Sequence, residues 1–162
     1  SGNAIQAGTL ELGFGSSASL SFNTSLIPTE TTSGSVTLVN SGSLTGSLDI
    51  DVSYTESDGS SSSPDKSADA VAQHLEVTSL TYGGTDLTGQ ITTSNSPPTL
   101  YDLATNDHGS SETTQNDLIN LSDPGSDTNF TMELRLQNVS NEFQGDGIAI
   151  DVTFHLNQTD GQ

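Results

Sequence analysis

Residues 1–14 read SGNAIQAGTLELGF. From Leu10 onward the apolar residues alternate, Leu10, Leu12 and Phe14, which is the period of a β-strand with one buried face. Upstream the parity reverses, with Ile5 and Ala7 on odd positions. A flat strand cannot turn both sets toward one core, because a slip of one residue exchanges its faces. Gly8 stands at the join, where a bulge or a turn costs least. Residues 9–14 are therefore expected in the chain's own sheet. Residues 1–8 read either as an arm that pairs with another sheet, including that of another molecule, or as a frayed terminus.

The same period recurs downstream. Ala18, Leu20 and Phe22 alternate after a turn at Gly15-Ser16-Ser17, and Val36 and Leu38 alternate in residues 35–40, with Val39 on the other face. Pro28 and the polar run to Gly34 read as a loop, and residues 41–46 as a turn. The clearest strands carry Leu48, Ile50, Val52 and Tyr54, with Asp49, Asp51 and Ser53 outward, and Ile148, Ile150, Val152, Phe154 and Leu156. Phe130, Met132, Leu134 and Leu136 form another. Residues 75–82 are extended, and Gly83-Gly84 is a hairpin-type turn into residues 85–87. Two short helices are expected. One carries Ala68, Val71, Ala72 and Leu75 at helical spacing, with Asp65 or Ser67 as its cap, and the other is a single turn capped by Thr99. Residues 56–67 and 106–116 read as polar loops, Leu118, Ile119 and Leu121 as an apolar plug, and Asp123-Pro124-Gly125 as a turn. Strands with one polar face each, outnumbering the helices, predict an all-β fold of two antiparallel sheets packed face to face. No repeat or internal boundary appears, so residues 9–162 form one domain behind the arm of residues 1–8.

Composition narrows the function. Among 162 residues there are 21 Asp plus Glu and only two basic residues, Lys66 and Arg135, for a net charge of −19. Such a chain cannot neutralise phosphates, which excludes nucleic acid and anionic membranes as partners. Its self-repulsion is severe in dilute buffer and is screened at about 1 M salt, where the Debye length is ~3 Å. Scarce lysine beside surplus acid is the pattern expected of a haloarchaeal protein. No cysteine is present, so neither a disulfide nor a thiolate metal site can form. No stretch is long or apolar enough to span a bilayer. The absence of an initiator Met fits a processed, secreted chain. Sequons at Asn23, Asn120, Asn129, Asn138 and Asn157 make these candidates for N-glycosylation at a cell surface.

Catalytic patterns are missing: there is no HExxH, phosphate loop, GxSxG or EF-hand. His74, His108 and His155 are not spaced as a local metal motif. Asp49 and Asp51 share one strand face about 7 Å apart and are weak calcium candidates. The simpler reading is a solvated acidic face, as it is for the loop carrying Asp102, Asn106 and Asp107. No cofactor and no catalytic residue is expected.

Four stretches, AGTLEL, VNSGSLTGSLDIDVSY, AQHLEVTSLTYGG and NEFQGDGIAIDVTFHLNQ, resemble in order and character the TasA/camelysin family. These are secreted biofilm-matrix proteins of bacteria, with archaeal relatives that form bundling pili. The most specific piece is the cluster Asn141, Gln144, Gly145 and Asp146 ahead of the last strand. The loops between residues 89 and 127 depart from the bacterial pattern. The resemblance implies a jelly-roll-like sandwich and fibres built by donor-strand complementation, one subunit's N-terminal segment completing the next subunit's sheet. Carried onto this chain, the donor is Asn3, Ala4, Ile5, Gln6, Ala7 and Gly8. Backbone hydrogen bonds give such a strand its affinity and alternate side chains its specificity. The contact is head-to-tail and does not close, so it yields a homopolymer at the cell surface, with neighbouring filaments as further partners. Some camelysin members are described as metal-dependent proteases, an activity for which this sequence shows no zinc motif. The rival expectation is a monomeric surface module that binds sugar or calcium.

Overall fold

The computed structural model describes residues 3–13, 17–25, 27–56, 66–108, 117–140, 143 and 146–158. Among these described residues nine strands lie in chain order: β1 Asn3–Leu12, β2 Ser17–Ser25, β3 Thr31–Asn40, β4 Gly46–Glu56, β5 Leu75–Tyr82, β6 Thr85–Asp86, β7 Leu118–Leu121, β8 Thr128–Leu136 and β9 Gly147–Gln158. Helix α1 spans Ala68–Ala72 and α2 Leu100–Thr105, with a 3-10 turn at Thr88–Gln90. The strands form two sheets, ordered β1-β3-β8-β5-β6 and β2-β9-β4-β7. The sheets pack face to face as a sandwich with two short helices at its flank.

Alternation of side chains builds the core. Val36, Leu38, Phe130, Met132 and Leu134 from the first sheet face Leu48, Ile50, Val52, Ile150, Val152 and Phe154 from the second, all buried. Phe130 of β8 and Phe154 of β9 meet edge to face at 5.0 Å between centroids and lock the two layers together. The outward positions are Ser, Thr and Asp, apart from a few such as Val39 and Arg135.

Several expectations are refined. The run before Ser35 is strand rather than loop, because residues from Thr31 onward are paired by β8 and those from Thr32 by β1. Residues 118–121 form an edge strand on β4 rather than a plug, although Leu118 and Leu121 are buried as a plug's would be. Gly46 begins β4 instead of ending the turn. The pairing is antiparallel except between β1 and β3, which run parallel. The reason is topological: after β1 the chain crosses to the other sheet for β2, reverses, and returns as β3 in β1's own direction. The loop at 57–65, Phe14, the turn residues 15 and 16, residues 109–116, and Asn141, Gln144 and Gly145 lie outside the described residues.

Both helices form where expected and are capped as expected. Ser67 accepts the amide of Ala70 at 3.3 Å. Thr99 and Asp102 make a reciprocal capping box on α2.

Because Phe154 fills the middle of a close-packed interior, Phe154→Ala should cost about 3–5 kcal/mol of unfolding free energy. Leu44→Ser, at a side chain 46% exposed, should stay within about 0.5 kcal/mol. Urea titration at high salt compares the two.

Candidate functional site

The sandwich has two unlike sides. On one, the sheets end in β6, two residues long, and β7, four residues long. β7 is also bulged: its register against β4 shifts between Leu48 and Ile50, where Asn120 adopts a positive φ of 63°. Short, bulged edges resist strand addition. On the other side lie β1, ten residues, and β2, nine residues, running beside each other at the ends of their sheets. In a chain with net charge −19 these two strands carry a single charged residue, Glu11. Long strand edges without charge or proline are the kind that recruit further strands.

The residues expected to form the donor segment lie on this edge. Asn3, Ala4, Ile5 and Gln6 stand opposite Thr32, Ser33, Gly34 and Ser35 of the same chain's β3, and residues 9–12 stand opposite residues 37–40. The register shifts between Gln6 and Thr9, and this interval holds Ala7 and Gly8. The reversal of parity in the sequence falls at this irregularity, which places Ile5, opposite Gly34, and Leu10, opposite Leu38, on equivalent register positions of β3. β5 shows the same device: Leu75 and Val77 are buried on odd positions, Leu80 and Tyr82 on even ones, with a register shift between Val77 and Ser79. The C-terminal half of β1 is anchored. Leu12 is fully buried, and its carbonyl accepts both the amide and the hydroxyl of Ser41 at 3.1 Å.

Elsewhere the carboxylates serve the fold. Asp123 accepts from the Gly46 amide at 2.6 Å, the Asn40 side chain at 2.7 Å and the Gly125 amide at 2.7 Å, tying two turns together. Burial raises the pKa of Asp102, but hydrogen bonds from Thr93, Asn95 and Thr99 outweigh it and hold the carboxyl below its usual range. Asp146, from the cluster ahead of β9, is buried and accepts the Lys66 amide at 3.1 Å. Nearby, Lys66 lies 5.4 Å over the Phe143 ring, against whose face or edge His74 also packs at 4.8 Å. Arg135 pairs with Glu76 at 3.3 Å. Apart from the bonds to Asp102 and from Gly125 to Asp123, which are local, these ties link residues far apart in sequence, so no local pattern announces them.

Asp49 and Asp51 lie on the outward face of β4, where Asp49 accepts the side-chain amide of Asn157. Asp117 sits beside them and is pushed up to about 6 by burial, by the charge and hydrogen bond of Asp51, and by the charge of Asp49, with His155 pulling the other way. Among the described residues no three His, Asp or Glu side chains are gathered to hold a metal. His108 is engaged at both nitrogens, Nδ1 accepting the Thr92 amide at 3.0 Å and Nε2 donating to the Leu103 carbonyl at 2.8 Å. His74 Nδ1 is held by Gln137 at 2.9 Å. Of the sequons, Asn120, Asn129 and Asn138 are exposed and Asn157 is half-buried; Asn23 lies on β2. No helix among the described residues is long and apolar enough to cross a membrane.

Fold and edge together define a two-sheet β-sandwich whose N-terminal segment is an outer strand. The family to which this belongs is shown by sequence: the family model described as camelysin metallo-endopeptidase matches residues 1–162, and the chain belongs to the camelysin/TasA family. No curated protein matches the chain. The family description implies a metal, and the described His, Asp and Glu residues do not fit a peptidase's metal centre.

The raised pKa of Asp117 has a sign. Between its unfolded value near 3.8 and about 6 the folded state binds the extra proton, so stability falls as pH rises through this window. Asp117→Asn should therefore gain stability at pH 7, by about 1 kcal/mol once solvent screening is allowed for, and the gain should fade toward pH 4. Urea unfolding of both proteins at constant high salt measures the difference.

Proposed function

We propose that the chain is an extracellular structural subunit that polymerises head-to-tail, its N-terminal segment adding as a strand to the sheet of the next copy. The observation that carries this reading is the position of residues 3–8 on a long edge strand, almost without charge, in a family that includes fibre-forming proteins. Strand addition supplies backbone hydrogen bonds as affinity, and it needs no electrostatic attraction between bodies that repel each other. Screening that repulsion should favour assembly, so filaments are expected to lengthen with salt. The acidic outer surface suits a haloarchaeal setting of this kind, and the exposed Asn120, Asn129 and Asn138 are the sequons best placed to carry glycans.

A structural role, rather than peptidase activity, is supported by the engagement of His74 and His108 in internal hydrogen bonds and by the lack, among the described residues, of a group of His, Asp and Glu side chains that could hold a metal. Chelator-sensitive cleavage of a protein substrate by the purified chain would contradict that part of the reading.

Deletion of residues 1–8 tests the polymer directly. Residues 9–12 remain to hold Leu12 in the core, so the domain should keep its circular dichroism spectrum and cooperative unfolding. Filaments, seen by negative-stain microscopy in high salt, should disappear. Their persistence in the truncated protein would overturn the proposal.

A further inference from the structure

Independently of the assembly reading, we infer that the cavity between the α1–β5 junction and the start of α2 is a binding site for a neutral saccharide of one or two sugar rings.

The cavity measures about 470 Å³, within the ~300–1,000 Å³ of small-molecule sites. Its lining comes from the segment joining α1 to β5, the loop ahead of α2, α2 itself and the end of β8. These elements stand away from β1 and β2, so strand pairing at that edge does not use the cavity. Three carboxamides line it: Gln73 and Asn95, both exposed, and half-buried Gln137. The half-buried ring of Tyr101, the imidazole of His74 and the buried carboxyl of Asp102 face the same space. Among the described lining residues there is no aliphatic side chain and no Lys or Arg.

The polar atoms are preset by bonds behind them. The Glu76 carboxylate accepts from Arg135 at 3.3 Å and from Gln137 Nε2 at 3.4 Å. That turns Gln137 Oε1 toward His74, so His74 Nδ1 carries a proton and donates to it at 2.9 Å. In the neutral ring Nε2 is then an acceptor. Asp102, 7% exposed, takes its strongest bonds on Oδ2. They come from the Thr93 hydroxyl at 2.6 Å, the Asn95 side chain at 3.0 Å, and the amide and hydroxyl of Thr99 at 3.0 Å each. Oδ1 accepts one long bond, from Asn106 at 3.4 Å, and keeps a lone pair for a further donor. The bond to Asp102 also orients Asn95 and leaves its carbonyl to accept.

This chemistry selects among ligand classes. An anion would meet the Asp102 carboxylate with no cation in the lining, in a chain of net charge −19. A metal ion needs several ligands brought together, and no three described His, Asp or Glu side chains are so gathered. An organic cation would find the one carboxylate already engaged on Oδ2 by neutral donors. An apolar ligand would desolvate the carboxamides and gain no aliphatic contact. A sugar matches the set. Each carboxamide offers a donor beside an acceptor, as a pair of neighbouring hydroxyls does. His74 Nε2 and Asp102 Oδ1 accept from single hydroxyls, and the Tyr101 ring gives the C–H face of a sugar a surface to pack on.

NMR titration of the full chain at high salt, made in a host that leaves its sequons bare, tests this. The probes are the methyl glycosides of glucose, mannose and galactose, with maltose and cellobiose, and glucuronate and tetramethylammonium serve as charged controls. At least one neutral sugar should bind and shift the side-chain amide resonances of Gln73, Asn95 and Gln137. Gln73→Ala/Asn95→Ala should weaken that binding about tenfold, as the loss of two hydrogen-bonding groups implies, and should keep the circular dichroism spectrum of the parent. Should that pair disturb the fold, Gln73→Ala alone, at an exposed side chain, should weaken binding severalfold. Failure of every neutral sugar to bind, binding that leaves those three resonances unmoved or the folded variants unaffected, or tighter binding of a charged control would overturn the assignment. None of these results bears on filament formation, which is read separately by microscopy.

Discussion

The structure depends on covering one row of backbone groups. β3 is built into its sheet by β8 on one side, and its other side presents amides and carbonyls along residues 32–40 that a strand must satisfy. The chain meets this need with its own residues 3–12, in the parallel direction that the crossover through β2 imposes. On the opposite side the edge strands β6 and β7 are short, and β7 is bulged. This asymmetry gives the molecule one side built for strand pairing and one side closed to it.

Charge supports the same division. The negative residues crowd the turns, loops and outward sheet faces, while β1, β2 and β3 contain one charged residue among them. Both basic side chains lie in internal contacts, Arg135 with Glu76 and Lys66 over Phe143. Along the β1 and β2 edge the one charge is Glu11, so repulsion between copies is weakest there. The repulsion is of short range in salt, so a concentrated saline medium removes the barrier without altering the strand contacts. The buried carboxylates Asp102 and Asp146 are the exceptions to an outward acidic surface, and each is held by hydrogen bonds that fasten a loop to a helix start.

Much of this was legible from alternation alone. The strands bearing Leu48 to Tyr54, Phe130 to Leu136 and Ile148 to Leu156 follow from period-2 burial, and both helices from their capping residues. Residues 31–34 were not, because Thr-Thr-Ser-Gly carries no apolar signal and becomes strand only through neighbours on both sides. Leu118 and Leu121 announced burial but not conformation, since four residues are too few to show a period. The reversal of parity before Gly8 announced an irregularity in β1 at the right place. It did not say which sheet the outer residues join, because a bulge within one strand, as in β5 at Val77–Ser79, leaves the same mark in sequence as a departing arm. Asp123, Asp146 and Asp117 acquire their roles from partners 77 to 83 residues away or from crowding across strands, and sequence spacing carries no trace of either. Family membership adds the prior for fibres, while its metallo-endopeptidase description finds no matching donor set among the described residues.

The most direct measurement is electron cryomicroscopy of filaments grown in high salt, at a resolution that traces the chain through Ala7 and Gly8. The density should carry the N-terminal segment, residues 3–8, from one subunit onto a sheet of the next. A filament in which residues 3–6 stay on their own β3 throughout would contradict the account.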